Sequence, residues 1–166
     1  MFDPHEERAR RDEENLRVLL HQVREGRHQY RVKAAEALGR AQNPVATNVL
    51  VEVLSDADHE LRYVIIRSLG KIKDPEAVPH LLPLLSDEDR WIRQGAIWSL
   101  GTIGDPTCIS SIIACADDAH LQVRVCVAEA LGRFQTPHTL ETLSRLKEDG
   151  EFEVRAAARK AEKEII

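Results

Sequence analysis

Aromatic residues make up only 4% of this 166-residue chain. No core can be built around large rings, so Leu, Ile, Val and Ala must fill thin helix-on-helix layers. Cysteine occurs three times, at Cys108, Cys115 and Cys126, without a Cys-x-x-Cys pair. Neither a disulfide framework nor a zinc knuckle is indicated. No apolar stretch approaches the roughly 18 residues of a membrane span. The opening Met1-Phe2-Asp3-Pro4-His5-Glu6-Glu7 has no basic region followed by an apolar run. No secretory signal is read there, and the cytoplasm is the expected compartment. The net charge is −5 and the charges are interspersed, which favours a soluble chain over a polyanion binder.

What the sequence does have is a period. Asp87, Arg93 and Leu100-Gly101 form a skeleton that stands 31 residues earlier as Asp56, Arg62 and Leu69-Gly70. It returns as Asp118, Arg124 and Leu131-Gly132, with further copies at Glu25, Arg31, Leu38-Gly39 and at Asp149, Arg155. Fixed-period self-similarity outranks other sequence signals. It divides a single domain, residues 1–166, into repeats at about 12–42, 43–73, 74–104, 105–135 and 136–166, after an N-terminal helical extension over 1–11.

Asp3 before Pro4 predicts a capped helix from Pro4 to about Glu25, with Glu6 and Glu7 favoured by the helix dipole in its first turn. Its charged half, Glu6 to Glu14, reads as a solvated extension or an arm for a partner. The later repeats open on Asn43-Pro44, Asp74-Pro75, Asp105-Pro106 and Thr136-Pro137, a side-chain acceptor followed by proline at a helix start. A first helix of about eleven residues follows, for example Glu76 to Ser86. A second helix runs roughly from Trp91 to Ile103. Its columns Tyr30, Leu61, Ile92, Val123, Val154; Ala34, Ile65, Ala96, Val127, Ala158; and Ala41, Ile72, Ile103, Phe134, Ile165 form one apolar stripe. The recurring glycine after leucine costs about 1 kcal/mol against alanine inside a helix. It implies a close helix–helix approach or a C-terminal cap.

The Asp and Arg columns form a structural ladder: Asp56, Arg62, Asp87, Arg93, Asp118 and Arg124. A carboxylate near the start of the second helix accepts amide protons that lack a partner. The arginine fork can meet the aspartate of its own or the next repeat, together with backbone oxygens. In the last repeat Arg159 and Glu162 replace apolar columns, and Ser144 and Lys147 replace Leu82 and Leu85. A polar outer face of this kind suits a terminal layer and leads to the expectation of an array that ends here.

Paired helices, Asp-x5-Arg and an alanine-rich Leu-Gly helix resemble HEAT repeats. The short period and Asp-Pro openings are similar to the HEAT-like repeats named for phycobilin lyases. The resemblance implies an all-α, right-handed α-solenoid of five helix pairs, with the second helices lining its concave face. HEAT-like deoxyhypusine hydroxylases carry His-Glu iron ligands just after the repeat arginine. Here those positions hold Val32-Lys33, Tyr63-Val64, Gln94-Gly95, Val125-Cys126 and Ala156-Ala157, so no metal site is expected. HEAT-like DNA glycosylases need a basic track for phosphates. Here Lys33, Arg40, Arg67, Lys71, Arg133 and Lys160 face Glu36, Glu60, Glu129, Glu153 and Glu164, which argues against nucleic acid.

Two columns depart from the pattern. Trp98 stands where the other repeats have Glu36, Arg67, Glu129 and Lys160; Trp91 stands where they have Gln29, Glu60, Gln122 and Glu153. Spaced seven apart, the two indoles share a helix face, with Gly95 expected to leave backbone open between them. Tyr63 and Arg67 are their neighbours one layer back. An aromatic patch at solvent-facing positions is what binding anchors look like, although the indoles could instead cover leucine-rich helix ends. The candidate binding set is Trp91, Trp98, Tyr63, Arg67, Gln94, Gly95 and Glu129. The cysteines read as small core residues, Cys126 being the one expected near the tryptophans. No catalytic constellation or cofactor motif is recognisable. The expected function is a protein-interaction scaffold that binds a peptide or partner helix on its concave face, with no nucleic acid and no membrane. The alternative is a phycobilin-lyase-like handler of a chromophore or tetrapyrrole, its propionate paired with Arg67.

Overall fold

The computed structural model describes residues 4–134 and 136–164. Among them are ten α-helices and no strand. They fall into five pairs: α1 (Pro4–Glu25) with α2 (His28–Ala41), α3 (Ala46–Leu54) with α4 (His59–Ile72), α5 (Val78–Leu81) with α6 (Arg90–Ile103), α7 (Ile109–Ala114) with α8 (Leu121–Leu131), and α9 (Pro137–Leu146) with α10 (Phe152–Glu164). Each pair packs internally, and the second helices pack in series, α2 on α4, α4 on α6, α6 on α8 and α8 on α10. The result is an all-α solenoid. No described helix is long and apolar enough to cross a membrane.

The helix starts follow from the residue before each proline. Asp74, Asp105 and Asn43 each accept an amide proton from two residues on, at 3.1, 2.8 and 3.0 Å. Thr136 forms a reciprocal cap with Thr139. The Asp3 cap lies outside the described residues. The first helices are more broken than the periodicity predicts. In the third repeat the α-helical part is only Val78–Leu81, between 3₁₀ turns at Pro75–Ala77 and Leu82–Ser86. Pro79 and Pro83 lack the amide protons that a continuous helix requires. The fourth repeat is similar, with 3₁₀ turns on either side of α7.

The apolar stripe is buried where a preceding layer covers it. Leu61, Ile92, Val123 and Val154 are fully buried, whereas Tyr30, in the first layer with none before it, is 49% exposed. In the third column Ile72 and Phe134 are buried, Ile103 is half-buried, and Ala41 is exposed, against expectation, in that same first layer. Ile165 lies outside the described residues.

The recurring glycine is a close-approach residue. A Cβ on Gly101 would fall 2.7 Å from the Cβ of Ala130, and on Gly132 2.7 Å from that of Ala161. Gly39 and Gly70 meet Ser68 and Ser99 in the same way, at 2.6 Å from Oγ. Each glycine on one second helix thus receives a small residue from the next. The C-terminal caps lie three residues further on, at Gln42, Lys73 and Gly104, all with positive φ.

The arginine ladder joins consecutive layers. Arg93 donates to both carboxylate oxygens of Asp118 at 2.8 and 3.0 Å and to the carbonyls of Asp87 and Glu88 at 2.8 and 3.1 Å. Arg124 holds Asp149 by two bonds, and Arg62 holds Asp87 by one of 2.7 Å. The carboxylate therefore comes from the next repeat and the carbonyl from the arginine's own. Asp87, Asp118 and Asp149 each also accept the amide proton two residues on. Asp56 does not belong to the ladder, contrary to the sequence pattern. It is exposed, and Arg31 turns back to donate to the carbonyl of Val23 on α1 at 3.0 Å. His28 instead pairs with Asp58 and Glu60 across that junction, at 2.7 and 3.0 Å. On the last layer, Lys147 and Glu162, two polar replacements of leucine columns, bond to each other at 2.8 Å.

Candidate functional site

The face formed by the second helices carries the departures from the repeat. Helix α6 starts at Asp89, whose carboxylate accepts the Trp91 amide proton at 2.7 Å. That cap fixes Trp91 in the first turn, and Trp98 follows two turns later on the same side. Trp91 is 48% exposed, and the Arg90 guanidinium lies over its ring at 5.0 Å. Trp98 is half-buried. The Arg67 guanidinium, from α4, lies 3.5 Å from its ring centroid, a distance at which the cation meets the negative face of the indole. In the other layers the Trp91 column is exposed throughout, and the Trp98 column is exposed apart from half-buried Arg67.

The backbone at Gly95 is not open. Gly95 is buried, and a Cβ there would lie 3.3 Å from Ile66 Cγ2 and 3.4 Å from Tyr63 Cε2. The missing side chain is the space into which the Tyr63 ring settles. Tyr63 and Gln94 are both half-buried. Of the candidate set, the structure brings together Tyr63 with Gly95, Arg67 with Trp98, and Trp98 with Glu129 around one cavity.

Trp98 also lines a cavity of about 430 Å³ with Cys126, Glu129 and Ala130 of α8, Arg133 just beyond that helix, and Ala157, Lys160 and Ala161 of α10. Its floor is small because Ala130 and Ala161 are the residues that receive Gly101 and Gly132. Trp91 is not among the lining residues. Arg133 and Lys160 fall outside the candidate set, yet a signal for them existed: Lys160 shares the Trp98 column, and Arg133 follows Glu129 by one helical turn. Arg90 shared no column with the aromatic residues and left no comparable signal.

Burial pushes the Cys126 thiol up to about 11, with Glu129 adding to the rise and Arg67 opposing it. The thiol is therefore protonated at neutral pH and a weak nucleophile. Cys108 is also raised to about 11, mainly by burial. Among the described residues no group of three or more His, Cys, Asp or Glu side chains is placed to hold a metal ion.

The model for HEAT repeats matches residues 16–95 and 78–161, and the chain belongs to the HEAT repeat family. In fold it is similar to the complex of CpcE and CpcF of phycocyanin lyase from Nostoc sp. PCC7120, with 24% identity and a TM-score of 0.79. The match covers 90% of this chain and 64% of that one, so the chain spans less than two thirds of its length. A designed armadillo repeat protein in complex with a (KR)4 peptide matches at 16% identity and a TM-score of 0.66, over 89% of this chain and 80% of that one. An engineered protein matches at 20% identity and a TM-score of 0.65, over 90% and 78% of the two chains. No curated protein sequence matches the chain.

Proposed function

We propose that this HEAT repeat chain is an interaction scaffold that grips a peptide or partner helix on the face of its second helices. Trp91 and Trp98 anchor the partner, with Arg67, Gln94 and Glu129 around them. Tyr63, seated on Gly95, supports the same surface. One observation carries the reading: at columns where the other layers place charged or polar side chains, this layer has indoles, and one of them walls a 430 Å³ cavity. Solvent-facing columns need no indole for folding, and rigid aromatic groups beside a cavity supply most of the affinity in protein interfaces. Structural neighbours described as a complex of two proteins and a complex with a peptide fit this reading.

The test compares a partner captured by the wild-type chain with its capture by Trp91→Ala and Trp98→Ala. Each substitution should cost about 2 kcal/mol of affinity, while thermal melting stays close to wild type. Unchanged affinity in both variants, with lowered melting temperatures, would mean that the indoles are packing residues and the reading is wrong.

A further inference from the structure

Seven arginines of the array, from Arg24 onward, are committed to oxygens of described residues. Arg24, Arg62, Arg93, Arg124 and Arg145 hold carboxylates, and Arg31 and Arg155 hold backbone carbonyls. Arg67 is different. It is half-buried, has its guanidinium carbon 3.5 Å above the Trp98 ring, and makes no hydrogen bond or ion pair with any described residue. Stacking restrains the side chain, and all five N–H donors remain at its edge, in the geometry that matches a carboxylate.

The cavity beside it adds a second such arginine, Arg133. Its lining holds Arg133 and Lys160 against one acid, Glu129. Arg133 is exposed and has no ion pair with a described residue. Between these groups the floor is apolar, made of Ala130, Ala157 and Ala161. Two turns back on α6, Arg90 lies over Trp91, likewise without a described carboxylate. The indoles thus carry guanidinium groups, and the cavity behind Trp98 is cationic at its rim and apolar at its base.

We infer that the partner of this face is an acidic peptide segment. One of its carboxylates bonds to the edge of Arg67 above Trp98, a small apolar side chain enters over the alanines, and a second acid meets Arg133. This rests on the scaffold reading and specifies its ligand. A continuous polyanion fits less well, because Glu36, Glu60 and Glu153 interrupt the cations of the same columns and the chain carries a net charge of −5.

The experiment uses the full chain and fluorescein-labelled peptides of alternating alanine and glutamate, with glutamine and lysine counterparts of equal length. Anisotropy and tryptophan emission are read together. The glutamate peptide should bind saturably and perturb the indole emission. The glutamine peptide, and the Arg67→Gln variant with the glutamate peptide, should each bind about tenfold more weakly. Glu129→Gln should shift affinity the other way and tighten it. The Arg67 column already holds Glu36, Glu129 and Lys160 in other layers, so Arg67→Gln should melt like wild type. Binding of glutamine or lysine peptides as tight as that of the glutamate peptide, lost in Trp98→Ala, would overturn the acid preference while leaving the scaffold reading intact. Preference for a phosphoserine peptide, or for free biliverdin, would overturn it in favour of those ligands. Failure of every peptide, with natural partner capture still dependent on Trp98, would overturn it alone.

Discussion

Arg93 and Arg67 sit on neighbouring second helices of the same array, and their surroundings are opposite. Arg93 reaches four oxygens and is nearly buried, its side chain 12% exposed. Arg67 reaches none among the described residues and rests on an indole. The first occurs at a position that recurs in every repeat; the second occurs once. Recurrence with satisfied bonds marks the edge of the molecule that holds layers together. A departure from recurrence, with donors left over, marks the face that we propose meets a partner.

Removing each arginine is the sharpest way to break this contrast. Arg93→Ala leaves Asp118 with a nearly buried carboxylate and no cation, so it should lower stability by about 2–3 kcal/mol. Arg67→Ala should change it by less than about 0.5 kcal/mol. Urea unfolding of the two variants gives both numbers, and equal losses would erase the distinction.

Two glycines on α6 repeat the comparison at smaller scale. Gly101→Ala drives a methyl into Ala130 on the next helix, where neither backbone can yield easily, and should cost about 1–2 kcal/mol. Gly95→Ala meets only the Tyr63 ring and an Ile66 methyl at ordinary to tight distances. Its gain in helix propensity offsets that crowding, so stability should stay within about 0.5 kcal/mol of wild type. Tyr63 fluorescence or proton shifts should nevertheless move, because the ring loses its seat.

Acid should separate the ladder from the face without mutation. Burial alone would raise Asp118, but the Arg93 guanidinium and the His120 amide outweigh it and hold its carboxyl below the usual range. Asp149 is lowered chiefly by Arg124. A depressed carboxyl stabilises the fold above its unfolded value, near 4, and the contribution disappears as pH falls through the folded value. Melting temperature should therefore drop below about pH 4 in wild type, and less steeply in Arg93→Ala, where one of these carboxyls has lost its cation. His28 works with the opposite sign. Its pairing with Glu60 and Asp58 raises it, so its contribution is complete below its ordinary value and fades as pH rises through the folded one.

The smallest effect concerns the helix ends. Lys73 holds a positive φ of 61° where the next repeat has Gly104 at 79°. Lys73→Gly should raise stability by about 0.5–1 kcal/mol, because only glycine takes that conformation without a Cβ clash. Differential scanning calorimetry resolves the shift.

The fold was legible in the sequence because a period makes each column its own alignment. The proline starts, the Leu-Gly column and the fully buried Leu61, Ile92, Val123 and Val154 follow from that alone. Contacts between layers were less legible. The residue before the Leu column is small in every repeat, but its fit onto the preceding glycine depends on the offset between stacked helices, which a period does not contain. For the same reason the sequence did not separate Asp56, which is out of the ladder, from Asp87, Asp118 and Asp149, which are in it. At the candidate site, the exceptional character of Trp91 and Trp98 could be read, whereas the cavity could not. It needs three helices, and Arg133 and Lys160 complete it from layers that look ordinary in one dimension.

The ladder is also uneven from one junction to the next. Between the first two layers no arginine of the ladder reaches an aspartate among the described residues, and Arg24 on α1 holds Glu52 on α3 instead; between the second and third the ladder has one bond; at the two later junctions it has two each. At every junction the glycine and its small partner act as a pivot, a point where two helices touch almost backbone to backbone. An arginine bound to the next layer acts as a strut, fixing the angle about that pivot. The last three layers are therefore braced by paired struts, whereas the first is tied to the second by Arg24 on Glu52 and His28 on Asp58 and Glu60. The cavity walled by α6, α8 and α10 thus lies where both junctions carry two-bond struts, which fix the angles between its walls.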